Sequence, residues 1–187
     1  MELMRLRFNE AKATQAAALL LKLRGGRMSY MKLIKLLYLV DREALLRWGR
    51  PVTTDRYVSM DRGPVLSAIL DLITEGPRPG SQGTWPEYIS EPQGHEVVLR
   101  KDASTDELSR AEEELIAEIF REHGGKSRWE LVDLVHALPE WRDPNGSAIP
   151  ISYSDVLEAG GMSPQEAAAV VEELESLMVA DSVVRPA

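Results

Sequence analysis

At 187 residues, 44% of them hydrophobic and 28% charged, the chain has the length and composition of one globular domain with a buried core. Zero cysteines exclude a disulfide framework, a thiolate nucleophile and any Cys-containing zinc site, so a reducing cytoplasm is the expected compartment. The net charge of −8 is uneven: residues 1–56 carry 12 Lys and Arg against 5 Asp and Glu, which leaves −15 for the remainder and makes nucleic acid a poor partner outside the first third.

The segment Met1–Phe8 is broken by charge and lacks the apolar stretch of a signal peptide. No run approaches the roughly 18 apolar residues of a membrane-spanning helix. A first helix is predicted over Asn9–Leu23, with Ala13, Ala16, Ala17, Leu20 and Leu23 at helical spacing and Gly25-Gly26 as its stop. Ser29 is placed to cap a second helix, whose Leu33, Leu36, Leu37, Val40, Ala44 and Trp48 repeat until Gly49 and Pro51. Ile34, Leu39 and Leu45 make it apolar on more than one side, so it should be central.

Val52–Met60 suits an extended segment. Pro64 is expected at the first position of a short helix carrying Val65, Leu66, Ile69, Leu72 and Ile73 and ending before Gly76. The Gly- and Pro-rich stretch from Gly76 to Gly94 reads as loop. Within and after it, Trp85–Ser90 and Glu96–Arg100 read as two strands of a hairpin turned by Glu91-Pro92-Gln93-Gly94. Three capping boxes follow: Ser109 with Glu112, Ser127 with Glu130, and Ser163 with Glu166. Each opens a helix, and a shorter one is expected around Asp155–Ala159. The chain is therefore predicted to be mainly α: a single-domain multi-helix orthogonal bundle over 1–187, with one small β-hairpin or short antiparallel sheet.

Several patterns invite chemistry. Gly124-Gly125-Lys126-Ser127 resembles the end of a phosphate-binding loop, but the first glycine of that motif would fall on Phe120 and the segment follows a helix rather than a strand; helix stop plus capping box is the better reading. None of His95, His123 and His136 is paired at zinc-binding spacing. His136, one turn after Asp133 and shortly before Trp141, is a conceivable base for a hydrolase, though no nucleophile accompanies it; a ring packed under an aromatic at a helix C-terminus is the blander reading. Asp41 with Glu43, and the run Glu112–Glu114, read as solvated helix faces. Residues 152–179 have the cadence of a helix-turn-helix, yet hold six acidic side chains and no Lys or Arg. The basic N-terminal helices, with Lys12, Lys22, Arg24, Arg27, Lys32 and Lys35, are an alternative nucleic-acid surface, or face an acidic protein partner, or neutralise the chain's own acidic half. Trp85 and Tyr88, in the Pro- and Gly-rich loop, are the rings best placed for contact with another protein.

Two blocks carry a family resemblance. The first is Lys32-Leu33-Ile34-Lys35-Leu36-Leu37-Tyr38-Leu39 with Asp41, then Gly49-Arg50-Pro51 and Gly63-Pro64-Val65. The second is Gly124-Gly125-Lys126-Ser127 with Trp129, Leu131, Leu134 and His136, then Pro139, Trp141-Arg142 and Ile149-Pro150-Ile151. Lying within residues 29–75 and 109–151, with 152–187 as a helical extension, they resemble the SocA-like antitoxins with the Panacea domain, also described as phage-associated proteins. The resemblance implies a mainly helical, non-enzymatic protein without catalytic residues, metal or cofactor, which neutralises a cognate toxin protein by direct binding. The SocA type looks like an adaptor that delivers its toxin to a Clp protease. The candidate partner-binding residues are then Tyr38, Asp41, Arg62, Trp85, Tyr88, His136 and Trp141.

Overall fold

The computed structural model describes residues 7–81 and 83–184, so most of the charged N-terminal segment Met1–Phe8 lies outside the described residues. Helix α2 (Tyr30–Trp48) is the axis of the fold. Every residue from Lys32 to Asp41 is buried, because neighbours close on it from all sides: α1 (Glu10–Leu23), α5 (Arg110–His123), α6 (Arg128–His136) and α7 (Tyr153–Ala159). A helix apolar on more than one side is stable only in such a place. The alanines Ala13, Ala16 and Ala17 are wholly buried and let α1 approach closely. One contiguous apolar cluster runs from Ala13 to Ala167.

The ends of these helices follow local chemistry. Asn9 Oδ1 accepts the Lys12 amide to open α1, and Gly49, left-handed at φ 70°, closes α2. Ser109, Ser127 and Ser152 form reciprocal capping boxes with Glu112, Glu130 and Asp155. Ser163 and Glu166 do the same for the last helix, α8 (Pro164–Val184). No helix among the described residues is long and apolar enough to cross a membrane.

The strands form two small antiparallel sheets. β1 (Arg27–Ser29) pairs with β4 (Glu96–Val98), Met28 opposite Val97. β2 (Tyr57–Met60) lies between β3 (Gly63–Leu66) and β5 (Ile149–Ile151), with Ser59 opposite both Pro64 and Ile149.

Two expectations are corrected. Pro64 does not start a helix; it sits in the edge strand β3, where its missing N–H costs no ladder bond to a further strand. Helix α3 (Ser67–Thr74) begins three residues later and is capped from a distance, by Asp55 oxygens accepting the amides of Ala68 (2.9 Å) and Ile69 (3.0 Å). Nor is Trp85–Ser90 a strand. Trp85–Tyr88 is a helical turn, α4, with Pro86 in its first turn, and the Glu96–Arg100 segment is met only from its end onward, through Tyr88 with Arg100, Ile89 with Leu99 and Ser90 with Val98. The main partner of β4 is β1, three residues too short to read as a strand from sequence.

Candidate partner-binding face

The turn between β2 and β3 gathers residues from both motif blocks. Gly63 is left-handed at φ 97°, and a side chain there would meet Val135 Cγ2 at 2.5 Å and Lys35 Nζ at 3.3 Å, so only glycine lets the turn lie against α6. His136, on α6, donates from Nε2 to the carbonyl of Asp61 at 3.0 Å. A carbonyl can only accept, which assigns the proton to Nε2. The same imidazole stacks on Trp141 at 4.1 Å, and Trp141 Nε1 donates to the carbonyl of Met60 at 3.1 Å. Turn, helix and following loop are thereby one unit.

Outward of this unit the surface is cationic and aromatic. Arg62 at the tip of the turn and Arg128 at the start of α6 lie 5.5 and 5.1 Å from the centre of the Trp129 ring, which is 50% exposed. Neither guanidinium forms an ion pair among the described residues. Beside Arg62 opens a cavity of about 310 Å³ walled by Ile34, Met60, Val65 and Leu70, with Lys35 in its lining. Sequence reasoning missed Trp129 as a contact residue, and placed Lys35 on an exposed basic surface where the structure buries it. The available signal was that Trp129 stands two positions before Leu131 and so cannot share its inward-facing side.

The seven expected contact residues divide by burial. Arg62 is exposed, and Tyr88, His136 and Trp141 are half-buried; Arg62, His136 and Trp141 are brought together at the turn, whereas Tyr88 sits apart on α4 beneath Lys101. Tyr38 and Asp41 are 0% exposed and Trp85 is 2% exposed, so in this fold their side chains serve the interior. Asp41 accepts from the Val52 amide, from the Thr53 amide and hydroxyl, and from the Tyr57 hydroxyl. This corrects the reading of Asp41 as solvated. Burial pushes its carboxyl up to about 7, against the pull of the Thr53 and Val52 donors. Tyr38 donates to Glu140 at 2.9 Å, and Glu140 also holds Arg42. Glu112, likewise expected in solvent, is buried in an ion pair with Lys12 at 2.7 Å.

The remaining decoys are structural. Gly124-Gly125-Lys126-Ser127 closes α5 and caps α6, and the space over its carbonyls is taken by Lys32, whose ammonium donates to Gly124 (2.5 Å) and Lys126 (2.7 Å). Of the basic N-terminal residues, Lys32 and Lys35 are buried, while Lys12, Lys22 and Arg27 pair with Glu112, Asp102 and Glu96. Three of these cations thus pair with carboxylates of the acidic remainder, as the neutralising reading expected. No group of three or more His, Asp or Glu residues among those described is arranged to hold a metal ion.

The family model described as "Antitoxin SocA-like, Panacea domain" matches residues 33–142. The chain belongs to that SocA-like antitoxin, Panacea-domain family. The matched span of this Panacea protein holds the motif blocks from Leu33 through Arg142, and with them the Tyr38–Glu140 bond, the Lys35–Pro64 bond and the His136–Trp141 stack. No curated protein and no solved structure matches the chain.

Proposed function

We propose that this protein is a non-enzymatic antitoxin, acting in the cytoplasm as one Panacea-like domain, that neutralises a cognate toxin by direct binding through the face around Arg62 and Trp129. The observation that carries this reading is the contrast within the matched family span. Its motif residues Tyr38 and Trp141 are spent on holding the two blocks together and Asp41 on fixing the segment after α2, whereas Arg62, Arg128 and Trp129 lie at the surface, neither guanidinium having an ion-pair partner among the described residues. Arg and Trp are the residues that most often anchor protein interfaces, since both combine a large flat surface with a polar end. His136 and Trp141 fix the turn that presents Arg62, and Tyr88 offers a second, separate contact.

Co-expression tests the reading. The product of the adjacent reading frame should arrest growth alone and be harmless with this protein, with which it should co-purify. A harmless neighbour, or one that stays toxic and unbound, removes the support. The finer reading, in which the bound toxin is delivered to a Clp protease, rests on the SocA type. It requires the toxin's half-life in cells to shorten when this protein is present and to recover when the protease is absent.

A further inference from the structure

Lys35 is 2% exposed, yet its ammonium makes one hydrogen bond, to the Pro64 carbonyl at 2.8 Å, and has no carboxylate partner among the described residues. An ammonium has three donors, so two are unanswered among the described residues. Burying a cation without a counter-charge is unfavourable, and burial accordingly holds Lys35 down at about 7. Lys32, one turn away, differs: it spends its donors on two carbonyls.

The surroundings of Lys35 say what would complete it. It lines the cavity of about 310 Å³ whose walls are Ile34, Met60, Val65 and Leu70, with the exposed Arg62 also in its lining. The acidic residue on that lining, Asp61, is exposed and accepts the Gly146 amide at 2.9 Å. An occupant must therefore bring apolar atoms and a negative charge together. An internal Asp or Glu brings only one or two methylenes beside its carboxylate, and its chain must continue in both directions. A C-terminal residue carries its carboxylate on the same carbon as its side chain, and the polypeptide leaves in one direction.

We propose that this cavity receives the C-terminal residue of a partner polypeptide, its apolar side chain against Ile34, Met60, Val65 and Leu70 and its terminal carboxylate on the Lys35 ammonium, with Arg62 beside it. The proposal rests on reading this face as a partner surface, but its test needs no toxin.

The full chain is titrated with three peptides while the methyl signals of Ile34, Met60, Val65 and Leu70 are followed by NMR: acetyl-Ala-Ala-Leu with a free carboxylate, the same peptide amidated, and amidated acetyl-Ala-Glu-Leu, whose charge is internal. The free acid should shift these methyls, and both amidated peptides should bind at least about tenfold more weakly, as loss of a charge-assisted contact requires. Lys35→Met should bind acid and amide alike. Equal binding of acid and amide to the wild-type chain, or no shift at these methyls with the free acid, overturns the proposal however Lys35→Met folds. Equal binding of the internal-glutamate peptide overturns the chain-end assignment. Growth rescue is scored separately, so either reading can fail while the other stands.

Discussion

Arg42 on α2 and Glu140 after α6 form a buried ion pair, Nε to Oε1 at 2.6 Å and a second guanidinium nitrogen to Oε2 at 3.3 Å, with the Glu140 side chain wholly removed from solvent. Tyr38, one turn before Arg42, donates to the same oxygen. The two ends of the family's matched span are joined here, some hundred residues apart in sequence. Removing one member strands a buried charge, so Arg42→Met and Glu140→Leu should each lower stability by about 3–5 kcal/mol. The double variant should recover much of that loss, because it buries no charge at all. Urea unfolding of the three variants checks both statements.

Asp41 and Lys35 give stability opposite dependences on pH. The Asp41 carboxyl is raised by burial from 3.8 to about 7, so its contribution is fully present below the unfolded value and is lost as pH rises through about 7. Lys35 is depressed from 10.5 to about 7, so the cost of its charge is relieved as pH rises from about 7 towards 10.5. Relative to Asp41→Asn, the wild-type protein should lose on the order of 4 kcal/mol between about pH 4 and about pH 7. Relative to Lys35→Met it should regain stability on the alkaline side. Denaturant midpoints across the pH range test each slope, and parallel profiles would remove these groups from the account.

At Gly63 two penalties coincide. Its φ of 97° is unfavourable for any side chain, and a Cβ would stand 2.5 Å from Val135 Cγ2. Gly63→Ala should cost about 2–5 kcal/mol, strain and overpacking together. Because the turn carries Arg62, the variant should also shift the NMR signals of Trp129 and Trp141, which a purely local penalty would not.

Lys32→Glu provides a control on the nucleic-acid alternative. It places a carboxylate against the carbonyls of Gly124 and Lys126, where the wild-type ammonium donates two hydrogen bonds, and should destabilise the protein by about 3 kcal/mol or more. Circular dichroism melting should show this before any DNA-binding measurement on that variant is interpreted.

The helices were legible because their signals are local. The Ser109, Ser127 and Ser163 boxes announce helices that the structure contains, each box satisfying amides within its own first turn. Where a partner lies far along the chain, the pattern misled. Asp55 caps α3 from outside the helix, so Pro64 looked like the better start. Three residues of β1 gave no strand periodicity, so β4 was matched to its neighbour in sequence. Asp41 and Glu112 read as solvent-facing because charge normally is, and their compensating donors come from Thr53, Tyr57 and Lys12. The face itself was half legible: Arg62, His136 and Trp141 were named in advance as contacts, while Trp129 emerges only once the β2–β3 turn is folded against α6, and Lys35, expected on an exposed basic surface, is buried there.

Direct binding is the centre of the account, and calorimetric titration of the purified product of the adjacent reading frame into the full chain tests it. The wild-type protein should bind, and Arg62→Glu combined with Trp129→Ala should bind at least about a hundredfold more weakly with an unchanged unfolding midpoint, as expected for interface anchors. No binding by the wild-type protein, or equal binding by the double variant, would contradict it.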